Sequence, residues 1–288
     1  MKDEKAKDEK ATLLDGKKLS QKICATLKSK IEKLKNKKPG LAVVLVGDNP
    51  ASQIYVAKKE KIARELGFYS EVHRLPASAQ EKEILSIIQH LNDSSKIHGI
   101  LVQLPLPAHI QTQIILNAVS PLKDVDGFHP LNLGRLFMGD PLFTPCTPQG
   151  VMELLKEYHI ELSGKSAVIV GRSLIVGKPL AHLLLSQNAT VTICHSKTKN
   201  LEEVCQKADI LISAMGKPHF IKNSFVKEGA VVVDVGINRL NKKIVGDVDF
   251  ESVQKKASFI TPVPGGVGPM TIAILLQNTL KSFERSMS

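Results

Sequence analysis

The sequence predicts an α/β protein with a parallel sheet of the Rossmann type in its C-terminal half. Short runs rich in Val, Ile and Leu recur along the chain, as in strands that are buried on both faces of a parallel sheet. Stretches with apolar residues at helical spacing separate these runs, and this alternation is typical of the α/β class. A length of 288 residues is sufficient for two domains of medium size.

The chain opens with a charged repeat. Residues 2–11 read KDEKA twice in succession, with balanced charge and no apolar face. Because such a segment buries too little apolar surface to offset its loss of conformational entropy, we expect residues 1–11 to form a disordered tail.

The N-terminal domain is predicted to follow this tail. From Leu13 as far as Leu34, apolar residues recur every three or four positions, which predicts an amphipathic helix that Pro39-Gly40 ends. The elements expected next are a buried strand over 41–46, a helix beginning near Ser52 and ending at Gly67, a strand over 69–75, a helix over 79–92 and a strand over 98–107.

A few polar side chains in this half are candidates for chemistry. Tyr55 and Lys59 are separated by one helical turn, so they lie on the same face. A desolvated lysine has a lowered pKa and can transfer protons at neutral pH, although such a pair is more often a surface cation–π contact. Gln103 ends an apolar strand and needs hydrogen-bond partners, which either the backbone or a functional group can supply. Asp126 places a carboxylate in a turn further on.

A domain boundary is predicted near residue 147. The stretch 144–150 is typical of an irregular linker, in which Thr147-Pro148 caps and opens a helix over 151–158. The predicted boundary therefore divides the chain after residue 147.

The C-terminal domain contains a turn that resembles a dinucleotide-binding loop. An apolar strand over 167–170 leads into Gly171 and, with the spacing G-x-S-x-x-x-G, to Gly177 at the start of a helix. Glycines let the backbone approach a pyrophosphate, and the helix N-terminus attracts its charge. The serine departs from the pattern G-x-G-x-x-G, so a plain strand-to-helix connection stays open as an alternative.

The end of the next strand favours NADP over NAD. An NAD-specific unit has an acidic residue about twenty residues after the first glycine, which binds the ribose 2′-hydroxyl. Here the strand over 190–194 ends in His195 and Ser196, with no acid to repel a 2′-phosphate. Arg172 and Ser196 are placed to bind that phosphate, unless His195 and Ser196 only cap the strand.

The remaining strands, over 209–213 and 230–235, are followed by loops at their carboxyl ends, where parallel sheets bind ligands. The stretch 261–271 is rich in glycine and proline and predicts a loop before a final helix over 272–280. We expect no second dinucleotide motif at Gly266-x-Gly268, because no regular helix is predicted to follow at the required spacing. Close approach of the backbone to a ligand explains these glycines better.

Composition argues against several classes of protein. The net charge of +11 suggests nucleic-acid binding, but aromatic residues are only 4% and tryptophan is absent, so a base-stacking surface is not expected. A positive field would also attract polyanionic small molecules. The four cysteines lack metal-like spacing and predict reduced thiols. Without a signal peptide or a long apolar run, we expect a cytoplasmic protein with no membrane, nucleic-acid or metal partner.

Taken together, these motifs resemble those of one family in their order and spacing. The family is the bifunctional methylenetetrahydrofolate dehydrogenase/methenyltetrahydrofolate cyclohydrolase. The matching segments are residues 52–61, 102–107, 123–127, 145–150, 171–179, 194–198, 234–238 and 262–271. The resemblance implies two α/β domains with a cleft between them: a folate-binding catalytic domain of residues 12–147 together with 270–288, and an NADP-binding Rossmann domain of residues 148–269. It also implies a homodimer that oxidises 5,10-methylenetetrahydrofolate with NADP and hydrolyses the methenyl product to 10-formyltetrahydrofolate, in one-carbon metabolism and purine biosynthesis.

The resemblance also implies roles for individual residues. By matching position, Lys59 is the central catalytic lysine, Tyr55 stacks on the folate, and Gln103 hydrogen-bonds to the lysine. Asp126 binds the pterin ring. The other implied substrate-binding residues are Ser52, Pro264 and Gly265. The implied cofactor-binding residues are Gly171, Arg172, Ser173, Gly177, His195, Ser196 and Ile237.

Alternatives remain within and outside this family. A dehydrogenase can lack the cyclohydrolase activity or use NAD, although the presence of Lys59 and Gln103 argues against the first and Arg172 with His195 and Ser196 against the second. A basic, non-catalytic binding protein on a Rossmann scaffold is the alternative from another class, because a fold does not determine a function.

Overall fold

The computed structural model describes residues 10–34, 37–241 and 243–287 and divides into two compact units. One unit comprises residues 20–146 and the chain from 272 onward, and the other comprises residues up to 19 together with 147–271. Most of the predicted disordered tail, residues 1–9, lies outside the described residues. Within the described ranges, no helix combines the length and apolar content needed to cross a bilayer.

Helices and strands alternate along the chain. In order they are β1 (Thr12–Leu13), α1 (Gly16–Glu32), β2 (Gly40–Val46), α2 (Pro50–Glu65), β3 (Tyr69–Leu75), α3 (Glu81–Asp93), β4 (Gly99–Val102), α4 (Thr112–Ala118), α5 (Pro130–Phe137), α6 (Cys146–Glu157), β5 (Ser166–Val170), α7 (Gly177–Leu185), β6 (Thr190–Cys194), α8 (Leu201–Cys205), β7 (Ile210–Ser213), a 3-10 turn (Asn223–Phe225), β8 (Val231–Asp234), β9 (Asn238–Leu240), β10 (Lys243–Val245), α9 (Phe250–Val253), β11 (Phe259–Ile260) and α10 (Val267–Ser286).

A three-stranded parallel sheet in the order β3-β2-β4 forms the centre of the N-terminal unit. The central strand β2 is buried along its whole length, because apolar clusters cover both of its faces. Leu41, Val43 and Leu45 pack in the cluster that includes residues of α1, α2 and α10. Ala42 and Val44 pack in the cluster that includes residues of α3 and α4. This two-sided burial explains why β2 is apolar at every position.

The C-terminal unit contains a six-stranded sheet in the order β1-β11-β8-β7-β5-β6. Every strand pair in it is parallel, and β5 and β6 pair in register from Ser166 with Thr190 to Val170 with Cys194. The predicted α/β class and the predicted Rossmann-type sheet are confirmed. All carboxyl ends of these strands therefore lie along one edge, where such sheets bind ligands.

The first residues differ from the prediction. The helix expected from Leu13 begins at Gly16, because Thr12 and Leu13 form a strand that pairs with Phe259 and Ile260 of β11. Residues 12–19 accordingly belong to the C-terminal unit, and their assignment to the N-terminal domain is corrected. The predicted tail also ends earlier than residue 11, since the Ala11 N–H donates to the Gln254 carbonyl at 3.1 Å.

Helix starts near proline also differ from the prediction. The final helix, expected over 272–280, is α10 and begins earlier, at Val267 directly after Gly266. Its Pro269 lies in the first turn, where the missing N–H costs no hydrogen bond. For the same reason Pro148 lies inside α6, which begins at Cys146. The helix expected near Ser52 begins at Pro50, capped by the Asn49 side chain.

The backbone in the turn between β5 and α7 is packed too closely for a side chain at either of its two glycines. A Cβ on Gly177 would lie 2.1 Å from the carbonyl oxygen of Gly171, so no larger residue fits without moving the backbone. Gly171 has a φ of +144°, and its own Cβ would lie 2.4 Å from the Ala214 carbonyl oxygen at the end of β7. These glycines are therefore required by close backbone packing within the protein, in addition to any approach of a ligand.

Replacement of Gly177 by alanine is expected to lower the free energy of unfolding by about 1–3 kcal/mol, because the added methyl overlaps backbone that cannot move aside. Urea unfolding followed by circular dichroism measures this change. The matched control is Gly134→Ala in α5, where a Cβ meets no atom within 4 Å. It should be neutral or stabilise by up to about 1 kcal/mol, and equal destabilisation by both changes would contradict the close-packing argument.

Candidate active site

The helix α2 carries two polar residues among the apolar ones on its buried face. Ser52, Val56, Lys59 and Ala63 are its buried residues, at the spacing of one or two helical turns. Asn49 fixes the start of the helix, since its Oδ1 accepts hydrogen bonds from the N–H groups of Ala51 and Ser52 at 3.0 and 3.1 Å. The N-cap thereby sets the position of every residue further along this face.

Lys59 is the central group of this site. Its side chain is almost fully buried, since the residue is only 5% exposed. The Nζ donates a hydrogen bond to Oε1 of Gln103 at 3.1 Å and lies 5.1 Å from the centre of the Tyr55 ring. The pair of Tyr55 and Lys59 is therefore a buried contact, and the alternative of a surface cation–π pair is not observed.

Gln103 is positioned by the sheet. It directly follows β4, and its N–H donates to the carbonyl of Val44 on β2 at 2.9 Å, which continues the ladder by one step. Its Nε2 donates to the carbonyl of Leu104 at 2.7 Å, so the side-chain oxygen points toward Lys59. The amide nitrogen of Gln103 is thus satisfied by the backbone, and its oxygen is satisfied by the candidate catalytic residue Lys59.

Burial shifts the protonation of these groups toward their neutral forms. Desolvation lowers the pKa of Lys59, and the nearby Asp126 and Cys146 only partly oppose this shift. Desolvation raises the pKa of Tyr55 to about 12, so the phenol keeps its proton at neutral pH. Desolvation also raises the pKa of Asp126, while Lys59 acts in the opposite direction. The site therefore holds a lysine whose ammonium group releases its proton more readily than one in water.

The turn that carries Asp126 is built around a second acid, Asp124. The buried Asp124 carboxylate accepts hydrogen bonds from the N–H groups of Phe128 and His129 at 3.1 and 2.8 Å and from the Asn132 side chain at 2.8 Å. Desolvation raises its pKa to about 6. Gly127, directly after Asp126, has a φ of +75°, a backbone conformation that residues with a side chain rarely adopt. Asp124 therefore shapes the turn, and Asp126 faces the lysine.

Sequence reasoning missed two residues at this site. The Cys146 thiol is fully buried, donates to the Val125 carbonyl at 3.3 Å and interacts with Asp126. Asn278, on α10, donates to the same Val125 carbonyl at 2.9 Å and to the Thr144 carbonyl at 3.3 Å. Cys146 was within a matching motif, but its contact with Asp126 depends on the tertiary fold.

The predicted cofactor residues lie along the carboxyl edge of the six-stranded sheet. Gly171, Arg172 and Ser173 follow β5, and His195 and Ser196 follow the neighbouring strand β6. The two loops are joined, because the Gly171 N–H donates to the Cys194 carbonyl at 2.9 Å. The side chains of Arg172, Ser173 and Ser196 are exposed, so they can meet a ligand from solvent.

These loops fit a dinucleotide phosphate in charge and shape. The Ser173 hydroxyl accepts from the N–H of Val176 at 3.1 Å and lies 3.4 Å from that of Gly177, so it caps the start of α7. Arg172 supplies a positive charge beside this cap, and the close-packed glycines leave no side chain over the turn. The loop after β6 is held by the Thr198 hydroxyl, which accepts from the His195 N–H at 2.8 Å.

The remaining predicted residues lie on loops at the same edge. Ile237 follows β8 and is 54% exposed. Pro264 and Gly265 lie on the loop between β11 and α10, and the Gly265 carbonyl accepts from the Lys17 N–H at 2.8 Å. Pro264 and Gly265 belong to the C-terminal unit, whereas Ser52, Tyr55 and Asp126 belong to the N-terminal one. That they serve one substrate together stays a prediction.

Neither a disulfide nor a metal centre is formed by the cysteines and carboxylates described above. All four cysteines are free. Among the described residues, no group of three or more His, Cys, Asp or Glu side chains is arranged to hold a metal ion.

Comparison with known proteins identifies the family. Residues 14–126 match the model of the tetrahydrofolate dehydrogenase/cyclohydrolase catalytic domain, and residues 145–287 match that of its NAD(P)-binding domain. The bifunctional protein FolD of Streptococcus agalactiae is 59% identical over 280 residues, which cover 96% of this chain and 99% of that one.

Solved structures agree with this match. The bifunctional FolD dehydrogenase/cyclohydrolase of Campylobacter jejuni superposes with a TM-score of 0.93 at 55% identity, covering 96% of this chain and 99% of that one. The FolD enzyme of Trypanosoma brucei, complexed with NADP and an inhibitor, gives a TM-score of 0.94 at 38% identity, covering 97% and 99%. The family that the motifs predict is confirmed, and this chain belongs to the tetrahydrofolate dehydrogenase/cyclohydrolase family.

Proposed function

We propose that this chain oxidises 5,10-methylenetetrahydrofolate with NADP and hydrolyses the 5,10-methenyl product to 10-formyltetrahydrofolate, with Lys59 as its proton-transfer group. The buried hydrogen bond between Lys59 and Gln103 is the observation that carries this proposal. Both family domains are present, and the related T. brucei enzyme was crystallised with NADP.

In the oxidation, the protein supplies binding and orientation. NADP, when bound, accepts a hydride from the one-carbon bridge of the folate. The glycine turn after β5 lets a pyrophosphate approach the backbone, and Arg172 with Ser196 binds the 2′-phosphate. Tyr55 offers its ring to the folate, and Asp126 binds the polar edge of the pterin.

In the hydrolysis, Lys59 moves the protons. Water attacks the cationic methenyl carbon, and its proton passes to the neutral amine of Lys59 as the C–O bond forms. The same proton is then delivered to N5 of the folate as the C–N5 bond breaks. The hydroxyl group left on the carbon loses its remaining proton to solvent and becomes the C=O of the formyl group on N10. A lysine whose pKa is lowered by burial is suited to accept and return a proton at neutral pH. Gln103 orients the amine throughout.

Lys59→Met is expected to abolish the cyclohydrolase reaction, since methionine fills the buried space but cannot carry a proton. The loss should exceed about 100-fold, as is typical of removing a general acid or base. The decay of methenyltetrahydrofolate absorbance measures this rate, and titration calorimetry should show that NADP affinity is unchanged.

The matched control for this test is Lys58→Met. Lys58 is the preceding residue of α2, but its side chain is exposed. It should hydrolyse the methenyl compound at the wild-type rate. A fully active Lys59 variant would remove the lysine from the mechanism.

Arg172→Ala should weaken NADP binding by about tenfold or more while NAD binding stays nearly constant, because charge-assisted hydrogen bonds to a phosphate are strong. Titration calorimetry with each cofactor measures the two affinities. Lys207→Ala, which removes another exposed cation of the same unit, serves as the control and should leave both unchanged. Equal weakening of NADP and NAD would contradict the assignment of the 2′-phosphate to Arg172.

The chain is further proposed to form a homodimer through strand β6. This strand lies at the edge of the six-stranded sheet, and its Thr190, Thr192 and Ile193 are exposed. An uncovered edge presents unpaired N–H and C=O groups that another strand can pair with. The cytoplasmic location stays a prediction from the sequence, and the supply of 10-formyl groups to purine biosynthesis stays one that the family resemblance implies.

Size-exclusion chromatography with light scattering should give a mass of about twice the 31.4 kDa of one chain. Ile193→Lys places a charge in the proposed interface and should shift the protein to the monomer. Ile244→Lys, on strand β10, replaces an isoleucine that is also exposed and should leave the dimer intact. A dimeric Ile193→Lys variant would exclude this edge, and a monomeric wild-type protein would exclude the dimer itself.

A further inference from the structure

We propose that Asp247 is a positioning residue for NADP: it fixes the loops after β7 and β8 that receive the nicotinamide half of the cofactor. This inference rests on the proposed function, because it takes the 2′-phosphate to bind at Arg172 and Ser196. It concerns a residue that belongs to neither set of predicted site residues.

Asp247 is fully buried and accepts hydrogen bonds from several neutral donors at once. Its Oδ2 accepts from the N–H groups of Met215 and Gly216 at 2.8 and 3.1 Å and from the Ser213 hydroxyl at 3.2 Å. Its Oδ1 accepts from the N–H of Lys217 at 2.8 Å and from the Asn238 side chain at 2.9 Å. A single carboxylate thus ties the loop after β7 to the residue that opens β9.

The backbone around Asp247 is held as tightly as its side chain. Asp234, the last residue of β8, accepts hydrogen bonds from the N–H groups of Gly236, Asp247 and Val248 at 2.9, 3.0 and 2.8 Å. A Cβ on Gly236 would lie 2.2 Å from Oδ1 of Asp247, and one on Gly246 would lie 1.8 Å from Oδ2 of Asp234. The two carboxylates therefore define the path of the chain on both sides of the β9–β10 hairpin.

The loop that Asp247 holds also touches the dinucleotide turn. Ala214 begins this loop, and its carbonyl oxygen lies against Gly171, where even a Cβ would be only 2.4 Å away. The start of the loop after β7 is therefore packed against the backbone of the turn after β5. Asp247 acts through these backbone groups, since its own carboxylate is buried beneath them.

Strand order assigns the two loops to one half of the cofactor. The strands run β8-β7-β5-β6, and the proposed 2′-phosphate residues Arg172 and Ser196 follow β5 and β6. A dinucleotide that lies along the carboxyl edge with its adenosine end at β6 must extend its other half past β5, toward β7 and β8. The loops after β7 and β8, which Asp247 joins, therefore lie on the side toward which the nicotinamide half extends.

The test compares Asp247→Asn with Asp249→Asn in the full-length protein. Asparagine has the shape of aspartate, but one of its two carboxylate oxygens is replaced by an NH₂ group. Each oxygen of Asp247 accepts from at least two N–H or hydroxyl donors, so the NH₂ group faces donors whichever way the amide is oriented. Asp249 is two residues further along and not fully buried, and its side chain makes no capping hydrogen bond. Its variant should behave as wild type.

For Asp247→Asn we expect the affinity for NADP to fall by about tenfold or more, measured by titration calorimetry, and kcat/KM of the dehydrogenase to fall with it. The affinity for adenosine 2′,5′-bisphosphate, which lacks the nicotinamide half, should stay within about twofold of wild type. Hydrolysis of methenyltetrahydrofolate without NADP should also be unchanged. A merely structural role would lower all of these quantities together, and that result would overturn the proposal, as would unchanged NADP affinity.

If Asp247→Asn does not fold, a second variant tests the role of Asp247. Ser213→Ala removes one of the donors to Asp247 without leaving a clash, and it should weaken NADP by about threefold while the bisphosphate is unaffected. Wild-type NADP affinity in that variant would then overturn the proposal. A wild-type protein that binds NADP but reduces none of it would contradict the proposed function, while the calorimetric comparison would still decide the role of Asp247.

Discussion

Parallel pairing of strands is the constraint on which the rest of this structure depends. In the main sheet of each unit every strand pair is parallel, so each strand must be followed by a connection that returns over a face of the sheet. The carboxyl ends of the strands consequently gather at one edge. Gln103 follows β4, and Gly171, His195, Ala214 and Ile237 follow strands of the larger sheet, so all of these residues occupy such edges.

Burial of polar groups gives these edges their chemical character. At Lys59 desolvation favours the neutral amine, and a neutral amide at hydrogen-bonding distance orients it without adding charge. Asp124 and Asp247 are also buried away from water, but several backbone N–H groups converge on each carboxylate and replace the water it has lost. The first arrangement leaves a group free to exchange a proton, and the second makes a rigid anchor for a loop.

The sequence predicts most of what depends on local spacing. The shared face of Tyr55 and Lys59 follows from helical periodicity, and the turn from Gly171 to Gly177 follows from the glycine spacing. What it could not predict depends on contacts between distant segments. Strand β1 has only two residues and exists through its pairing with β11, and no local pattern reveals such a partner. Cys146 and Asp247 likewise acquire their roles from residues that the fold brings to them.

The pairing of β1 with β11 also has a consequence for the order in which the molecule can be completed during synthesis. The edge strand β1 is made first but has no partner until Phe259 and Ile260 have left the ribosome. The core of the N-terminal unit likewise includes Ile272, Leu276 and Phe283 from the last helix. Neither unit can therefore complete its packing until the last helix has been synthesised. A nascent polypeptide that stalls before residue 259 has two incomplete cores, and its exposed apolar surface makes it a substrate for chaperones and proteases.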